Sequence, residues 1–411
     1  MRKFLAIRLV VATALTAFSA GAFAQSTTTA VTPAIPEMNL AALNALVLQL
    51  PVTLYGVLDA GLIYQSTSGP AYLTSANETK NAGSVFGYKD GGIYSSNFGI
   101  KGAEQLGNGY DIHFKLQAAF NTGSGNVGLN GGTGSALFNQ YAMLGVTSPY
   151  GTLDGGRQIV PMIWAMADTD VRRSQYFGSI LTAWVGLDQA AGWVPTSTNA
   201  PIGALYDDNA IVYQTPRIDH VTLGLEYAPG GVAGQFQNGT RVSAVLRYAG
   251  DNLHLAAVVY NGYNTNPAYP APIDTAKEKN NNRFYYLGAR YTIQKFDVSA
   301  SYSLAQNPAK FGRPDNLDLL SAGLGYQLTT RLNVTSGLYY IHSRSSAEPG
   351  HSTEISLGAT YVLTKQALLY AQIGHVANSG IMNQMISYGQ FVAPNTSTTT
   401  VMTGLRFSFS L

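Results

Sequence analysis

From Val52 onward, apolar and polar residues alternate with a period of two, the signature of strands with two unlike faces. The stretch from Tyr110 is the clearest case. Tyr110, Ile112, Phe114, Leu116, Ala118 and Phe120 share one face, while Asp111, His113, Lys115, Gln117 and Asn121 take the other. Similar alternation runs through Val221–Tyr227, Val242–Tyr248, Tyr285–Tyr291, Phe296–Tyr302, Leu320–Tyr326, Ile355–Tyr361 and Leu405–Leu411. The connections between these segments alternate in length. Gly107-Asn108-Gly109, Gly250-Asp251-Asn252, the stretch around Lys295, Thr329–Arg331 and Thr364–Gln366 are short; Thr67–Gly92, Ile159–Asp208, Thr265–Asn281 and Ile381–Ser397 are long. Counting between them predicts sixteen strands with both chain ends on the short-turn side. Eighteen would need a hairpin inside Ile159–Asp208.

The polar faces decide what kind of sheet this is. A soluble sandwich turns many charges outward. Here the polar faces carry Ser, Thr, Gly, Asn and Tyr with single charges such as Glu226, Arg247, Arg290, Asp297 and Arg406. Charged residues make up only 11% of the chain, against about 25% in ordinary soluble domains. Such faces suit a wet lumen enclosed by a lipid-facing band, and an even strand number suits a closed bacterial barrel. The fold class predicted is therefore all-β: a transmembrane antiparallel β-barrel. Tyr248, Tyr291, Tyr326 and Tyr361 each precede a short turn on the apolar face, where they would form an interfacial girdle.

The N-terminal stretch reads as a secretory signal: Arg2, Lys3 and Arg8, an apolar run from Leu9 to Phe18, then Ala22-Phe23-Ala24. The expected organisation is a signal peptide over 1–24, an extension over 25–51 and the barrel over 52–411. Removing residues 1–24 takes three of the 24 basic residues and none of the 22 acidic ones, so the net charge moves from +2 to −1. No basic excess remains to hold nucleic acid. Without cysteine there is no disulfide frame or thiolate chemistry. In the extension, Leu40, Leu43, Val47 and Leu50 keep a helical spacing between Pro36 and Pro51. It reads either as a short helix (at the rim, on a partner, or in the lumen as a plug) or as a loosely ordered tail.

Several motifs, taken in order, resemble the Gram-negative general porins of the Burkholderia–Neisseria type. Val52-Thr53-Leu54-Tyr55-Gly56-Val57-Leu58-Asp59-Ala60-Gly61 resembles that family's first strand, and Phe98-Gly99-Ile100-Lys101-Gly102-Ala103-Glu104 with Leu106-Gly107 its second. Phe138-Asn139-Gln140-Tyr141-Ala142, Tyr150-Gly151-Thr152-Leu153 and Gly156-Arg157-Gln158 resemble strands four and five, and Gly404-Leu405-Arg406-Phe407-Ser408-Phe409 the closing strand. The resemblance implies a homotrimer of sixteen-stranded barrels in the outer membrane of a Gram-negative bacterium. It further implies passive diffusion of small hydrophilic solutes and ions, insertion by the barrel-assembly machinery through the C-terminal strand, and no cofactor. Asn97 stands where the family usually has Arg, Asp207-Asp208-Asn209 where it tends to have a basic residue, and Ser410-Leu411 extend past the terminal aromatic, Phe409.

The resemblance also implies that the long loop after strand five, from Gln158 to about Asp208, folds into the lumen as a constriction. It carries all three tryptophans, Trp164, Trp184 and Trp193, and the charges Asp168, Asp170, Arg172, Arg173 and Asp188. Opposite it, wall candidates are Asn97, Lys101, Lys115, Arg157 and Arg406, with Arg247 and Arg290 as secondary members. Lys101 and Lys115 have lumen parity; Arg157 shares parity with Leu153 and is placed only by resemblance. The charges from Asp168 to Arg173 have two readings: one side of a transverse field across the pore, or local ion pairs that hold the loop. The tryptophans either line a path for sugars or aromatic solutes, as in a substrate-specific channel, or pin the loop to the wall. The mature charge, Asn97 and Asp207-Asp208 lean the expected ion preference weakly to cations. An enzyme is not expected: the six histidines are scattered, and neither a Gly-x-Ser-x-Gly elbow nor a His-Glu-x-x-His motif occurs.

Overall fold

The computed structural model describes residues 52–69, 81–128, 136–191, 205–263, 281–310, 313–345 and 349–411. The expected signal peptide and extension, residues 1–51, and Trp193 lie outside the described residues. The strands are β1 (Val52–Gln65), β2 in two segments (Val85–Asp90 and Asn97–Gly107), β3 (Tyr110–Ala119), β4 (Tyr141–Ser148), β5 (Gly151–Ile159), β6 (Tyr206–Gln214), β7 (Val221–Ala228) and β8 (Arg241–Ala249). They continue with β9 (Leu253–Tyr263), β10 (Asn281–Ile293), β11 (Phe296–Lys310), β12 (Arg313–Gln327), β13 (Leu332–Ser343), β14 (Gly350–Val362), β15 (Ala367–Gly380) and β16 (Thr398–Ser410). Each pairs antiparallel with its chain neighbours, and β16 closes on β1 from Tyr55↔Ser410 to Gln65↔Thr400. Closure pairs the backbone of both end strands, as a sheet surrounded by lipid requires. Among the described residues between β5 and β6 the chain forms two helices, α1 (Pro161–Thr169) and α2 (Ile180–Ala190), and no hairpin. The barrel therefore has sixteen strands.

The two segments of β2 share one partner: Val85–Asp90 pairs with the upper part of β1, Asn97–Gly102 with its lower part. The break at 91–96 turns into the barrel and is tied by Asp59 of β1. Its carboxylate accepts the amide N–H groups of Gly92, Ile93 and Tyr94, each at 3.0 Å, and the Tyr370 hydroxyl at 2.9 Å. The upper segment lies within Thr67–Gly92, expected from sequence to be loop throughout.

Burial is inside out relative to a soluble protein. On β14, Ile355 and Leu357 are exposed while Ser352, Glu354 and Ser356 between them are buried. On β1, Leu58 and Leu62 are exposed while Asp59, Ile63 and Gln65 are buried. The apolar face is the one that lipid covers. Tyr248, Tyr291, Tyr326 and Tyr361 fall at the ends of β8, β10, β12 and β14, one level on that outer face.

Candidate pore constriction

The segment joining β5 to β6 enters the lumen and docks on the far wall. Pro161 begins α1, where its missing N–H costs no hydrogen bond, and α1 lies against β8, β9 and β10. Ser179 starts α2: its hydroxyl accepts from Leu181 N at 3.1 Å while Thr182 Oγ1 accepts from Ser179 N at 3.0 Å. This reciprocal cap satisfies amides that would otherwise be orphaned in the interior. Helix α2 packs on β12 and β13. Trp184 is fully buried there, edge-on to Phe284 and Tyr286 at 4.6 and 5.2 Å, with Nε1 donating to Ser303 Oγ at 3.1 Å. Trp184 therefore pins the loop, whereas Trp164 on α1 stays 47% exposed.

The turn between the helices separates the loop charges into different roles. Arg172 is completely buried. Its Nε donates to Gly178 O at 2.5 Å, Nη2 to Phe177 O at 2.9 Å and Gln372 Oε1 at 2.7 Å, and Nη1 to Thr335 Oγ1 at 3.1 Å. Asp170, also buried, accepts from Ser174 N at 3.1 Å and the Tyr339 hydroxyl at 3.2 Å. Burial raises the Asp170 pKa above its ordinary value, opposed by the hydrogen bonds from the Ser174 and Ile180 amides and by the Arg172 charge. Asp170 and Arg172 are anchors rather than pore-lining charges. Two glycines make the fit possible. A Cβ on Gly358 would come within 2.7 Å of Arg172 Nη1; Gly178, at φ 50°, would meet Ser356 Cβ at 2.4 Å.

Asp168 pairs with Arg247, and its carbonyl accepts from Arg290 Nε at 2.8 Å. Arg290 also reaches Asp297 Oδ1 at 3.0 Å. Arg173, exposed at φ 55°, offers its carbonyl to the Tyr94 hydroxyl at 2.7 Å, and Arg406 lies 5.9 Å over the same tyrosine ring. Lys101 sits 5.5 Å over Tyr55 and Lys115 3.4 Å over Tyr141. Asn97 donates to Ser95 O at 3.1 Å at the β2 break. Strand parity put Arg157 on the outer face, but the pleat is irregular there: Gly156 has φ 119°, Asn209 φ 57°, and the β5–β6 register shifts between Gly156 and Gln158. The guanidinium lies 5.9 Å over Tyr206 and 2.5 Å from Asp208 Oδ1. Asp207 and Asp208, expected just before strand six, lie within β6, and Asp207 pairs with buried Arg241 at 2.9 Å.

The sequence marked Ile381–Ser397 only as a long connection. It too folds inward and lies on the constriction loop. Met382, Met385, Ile386, Val392 and Ala393 are buried. Gly178 N donates to Ile386 O at 2.7 Å, Tyr388 N to Tyr176 O at 2.8 Å, and Lys89 Nζ to Tyr388 O at 2.9 Å. Its cluster of apolar residues between polar ones was the available signal.

The segment between β5 and β6 thus lies inside the wall, with Arg406 and the Arg173 carbonyl both at Tyr94 and with Lys101 and Lys115 in register across β2 and β3. The family model described as Gram-negative porin matches residues 11–381. An outer membrane porin of Bordetella pertussis is 27% identical over 366 residues, covering 80% of this chain and 89% of that protein. Outer membrane porin protein 32 of Delftia acidovorans is 24% identical over 389 residues, covering 90% and 97%. Among solved structures, the anion-selective porin from Comamonas acidovorans superposes with a TM-score of 0.70 at 19% identity, covering 88% of this chain and 100% of that one. The trimer form of OmpT from Vibrio cholerae gives 0.62 at 15% identity, covering 88% and 99%. Barrel, inward loop and family match agree: the chain belongs to the Gram-negative porin family and is a channel of the outer membrane.

Proposed function

We propose that this porin, exported with loss of residues 1–24, works as a homotrimer and passes small hydrophilic solutes with a preference for anions. One observation carries the preference. Among the described residues, Lys101, Lys115, Arg173 and Arg406 form no ion pair, whereas Asp154, Asp168, Asp207, Asp208 and Asp297 each have a cationic or histidine partner. Asp59, Asp90 and Glu354, which lack such a partner, are buried away from solutes, so the four cations lend the pore a positive field although the mature chain is slightly acidic. A lumen of one sign, walled by low dielectric, concentrates the opposite ion. This reverses the weak cation lean read from Asn97 and Asp207-Asp208, because those aspartates are held by Arg241 and Arg157. The description of the Comamonas acidovorans porin as anion-selective accords with it. Trimer formation draws support from the OmpT trimer form. Assembly through the C-terminal strand draws support from Phe409, whose ring lies over Gly56 of β1 at the closing seam. A channel built for sugars or aromatic solutes is less favoured, since Trp184 is committed to packing.

Reversal potential across a planar bilayer under a KCl gradient tests the reading. A potential on the chloride side, with conductance closing in three steps, is expected. A potential on the potassium side overturns the anion preference, and single steps overturn the trimer.

A further inference from the structure

On the lumen face, Lys101 of β2 and Lys115 of β3 are in register as direct cross-strand partners. Cβ atoms at such positions lie about 4.5–5.5 Å apart, and like charges placed there repel. No carboxylate among the described residues offsets them. The acidic groups on neighbouring lumen positions, Asp111 and Asp154, are engaged by His113, at 3.1 Å to Nδ1 and 2.8 Å to Nε2. What holds the ammonium groups is instead a tyrosine ring under each. Tyr141 lies 3.4 Å beneath Lys115 and is set edge-on against Tyr206; Tyr55 lies 5.5 Å from Lys101 and is fixed by its hydroxyl bond to Gln117 Oε1 at 2.8 Å. A π face attracts a cation without cancelling its charge, so both charges stay available to a solute. Lys101 is exposed and Lys115 half-buried, so the pair is reachable from the pore.

We infer that Lys101 and Lys115 form a docking point for a small dianionic oxyanion of the phosphate class. Two compact ammonium groups, each with three rotatable donors, match a tetrahedral oxyanion carrying one negative charge for each of them. Chloride, with its single charge, neutralises only one of the two. The inference rests on the pore reading above and adds a solute class and an address to it.

The test is chloride current through the trimer at constant ionic strength, with inorganic phosphate titrated in at pH 7. Phosphate should reduce the current saturably. In Lys101→Gln/Lys115→Gln the apparent affinity should fall about tenfold or more, while Lys101→Arg/Lys115→Arg keeps most of it. At pH 5, where phosphate is a monoanion, its block should weaken while that of sulfate persists. Equal block in the wild type and the double glutamine variant, or a linear fall without saturation, overturns the docking point. Absence of any chloride current in the wild type instead overturns the pore reading. Unchanged heat-modifiable mobility on gels shows that the variants fold.

Discussion

A guanidinium buried away from water must place its N–H groups on acceptors or lose several kcal/mol. Arg172 meets that demand with the carbonyls of Phe177 and Gly178 in its own turn, Thr335 on β13 and Gln372 on β15. Arg172→Met leaves those acceptors unpaired inside the barrel, so docking of the constriction loop should weaken by about 3–5 kcal/mol. Single-channel records should show larger, noisier conductance; unchanged records would mean that the helices alone hold the loop. Arg172→Lys should fall between, because it keeps the charge but not the planar fork. Asp170 gives a pH signature. Its pKa is raised in the docked loop, so its contribution to docking is fully present below the ordinary carboxylate value and lost as pH rises through the raised one. Open-channel noise should therefore grow with pH across that window, and Asp170→Asn should flatten the dependence. The sequence left these charges with two readings for a physical reason. Their partners are 163 residues away at Thr335, 169 at Tyr339 and 200 at Gln372, and local spacing says nothing of them.

Strands were legible from the sequence wherever one face meets lipid, because hydrocarbon imposes an apolar residue at every second position. The inner face obeys no such rule. It is water-lined in places and packed against loops in others, so its composition drifts between Ser303, Phe284 and Glu354 without a period. For that reason the break in β2 was not foreseen: Val85–Asp90 is only six residues long and its amide partner, Asp59, sits on another strand. The inward course of 381–397 was hidden in the same way. Its position makes a prediction. The loop closes over the turn that presents Gly178, through hydrogen bonds from Gly178 to Ile386 and from Tyr388 to Tyr176. Replacing Asn383–Pro394 by a short Gly-Ser turn should raise conductance twice over, by opening the vestibule and by freeing the constriction loop. Combined with Arg172→Met, the increase should be less than additive, since both act on the same contact. Full additivity would show that the two loops work independently.

Across the whole molecule, the sixteen-stranded wall fixes where each charge stands, and that arrangement rather than the net charge governs the pore. Lys101 and Lys115 are paired across β2 and β3, while Arg406 on β16 and Arg173 at the loop turn both lie at Tyr94, so the unpaired cations form two groups along the lumen. Selectivity from such a distribution is a field effect and must respond to screening. The Debye length shrinks from about 10 Å at 0.1 M salt to about 3 Å at 1 M. Chloride preference should therefore be marked in dilute KCl and largely lost in molar KCl at the same concentration ratio. Neutralising Arg406 and Lys101 separately should each remove part of the dilute-salt preference, and together nearly the sum, because they act from separate places on the wall. Persistence of the preference at 1 M would point the other way, to anions held in direct contact at one site. The turn bearing Arg173 and the lysine pair would then have to be tested one at a time for which of them holds the ion.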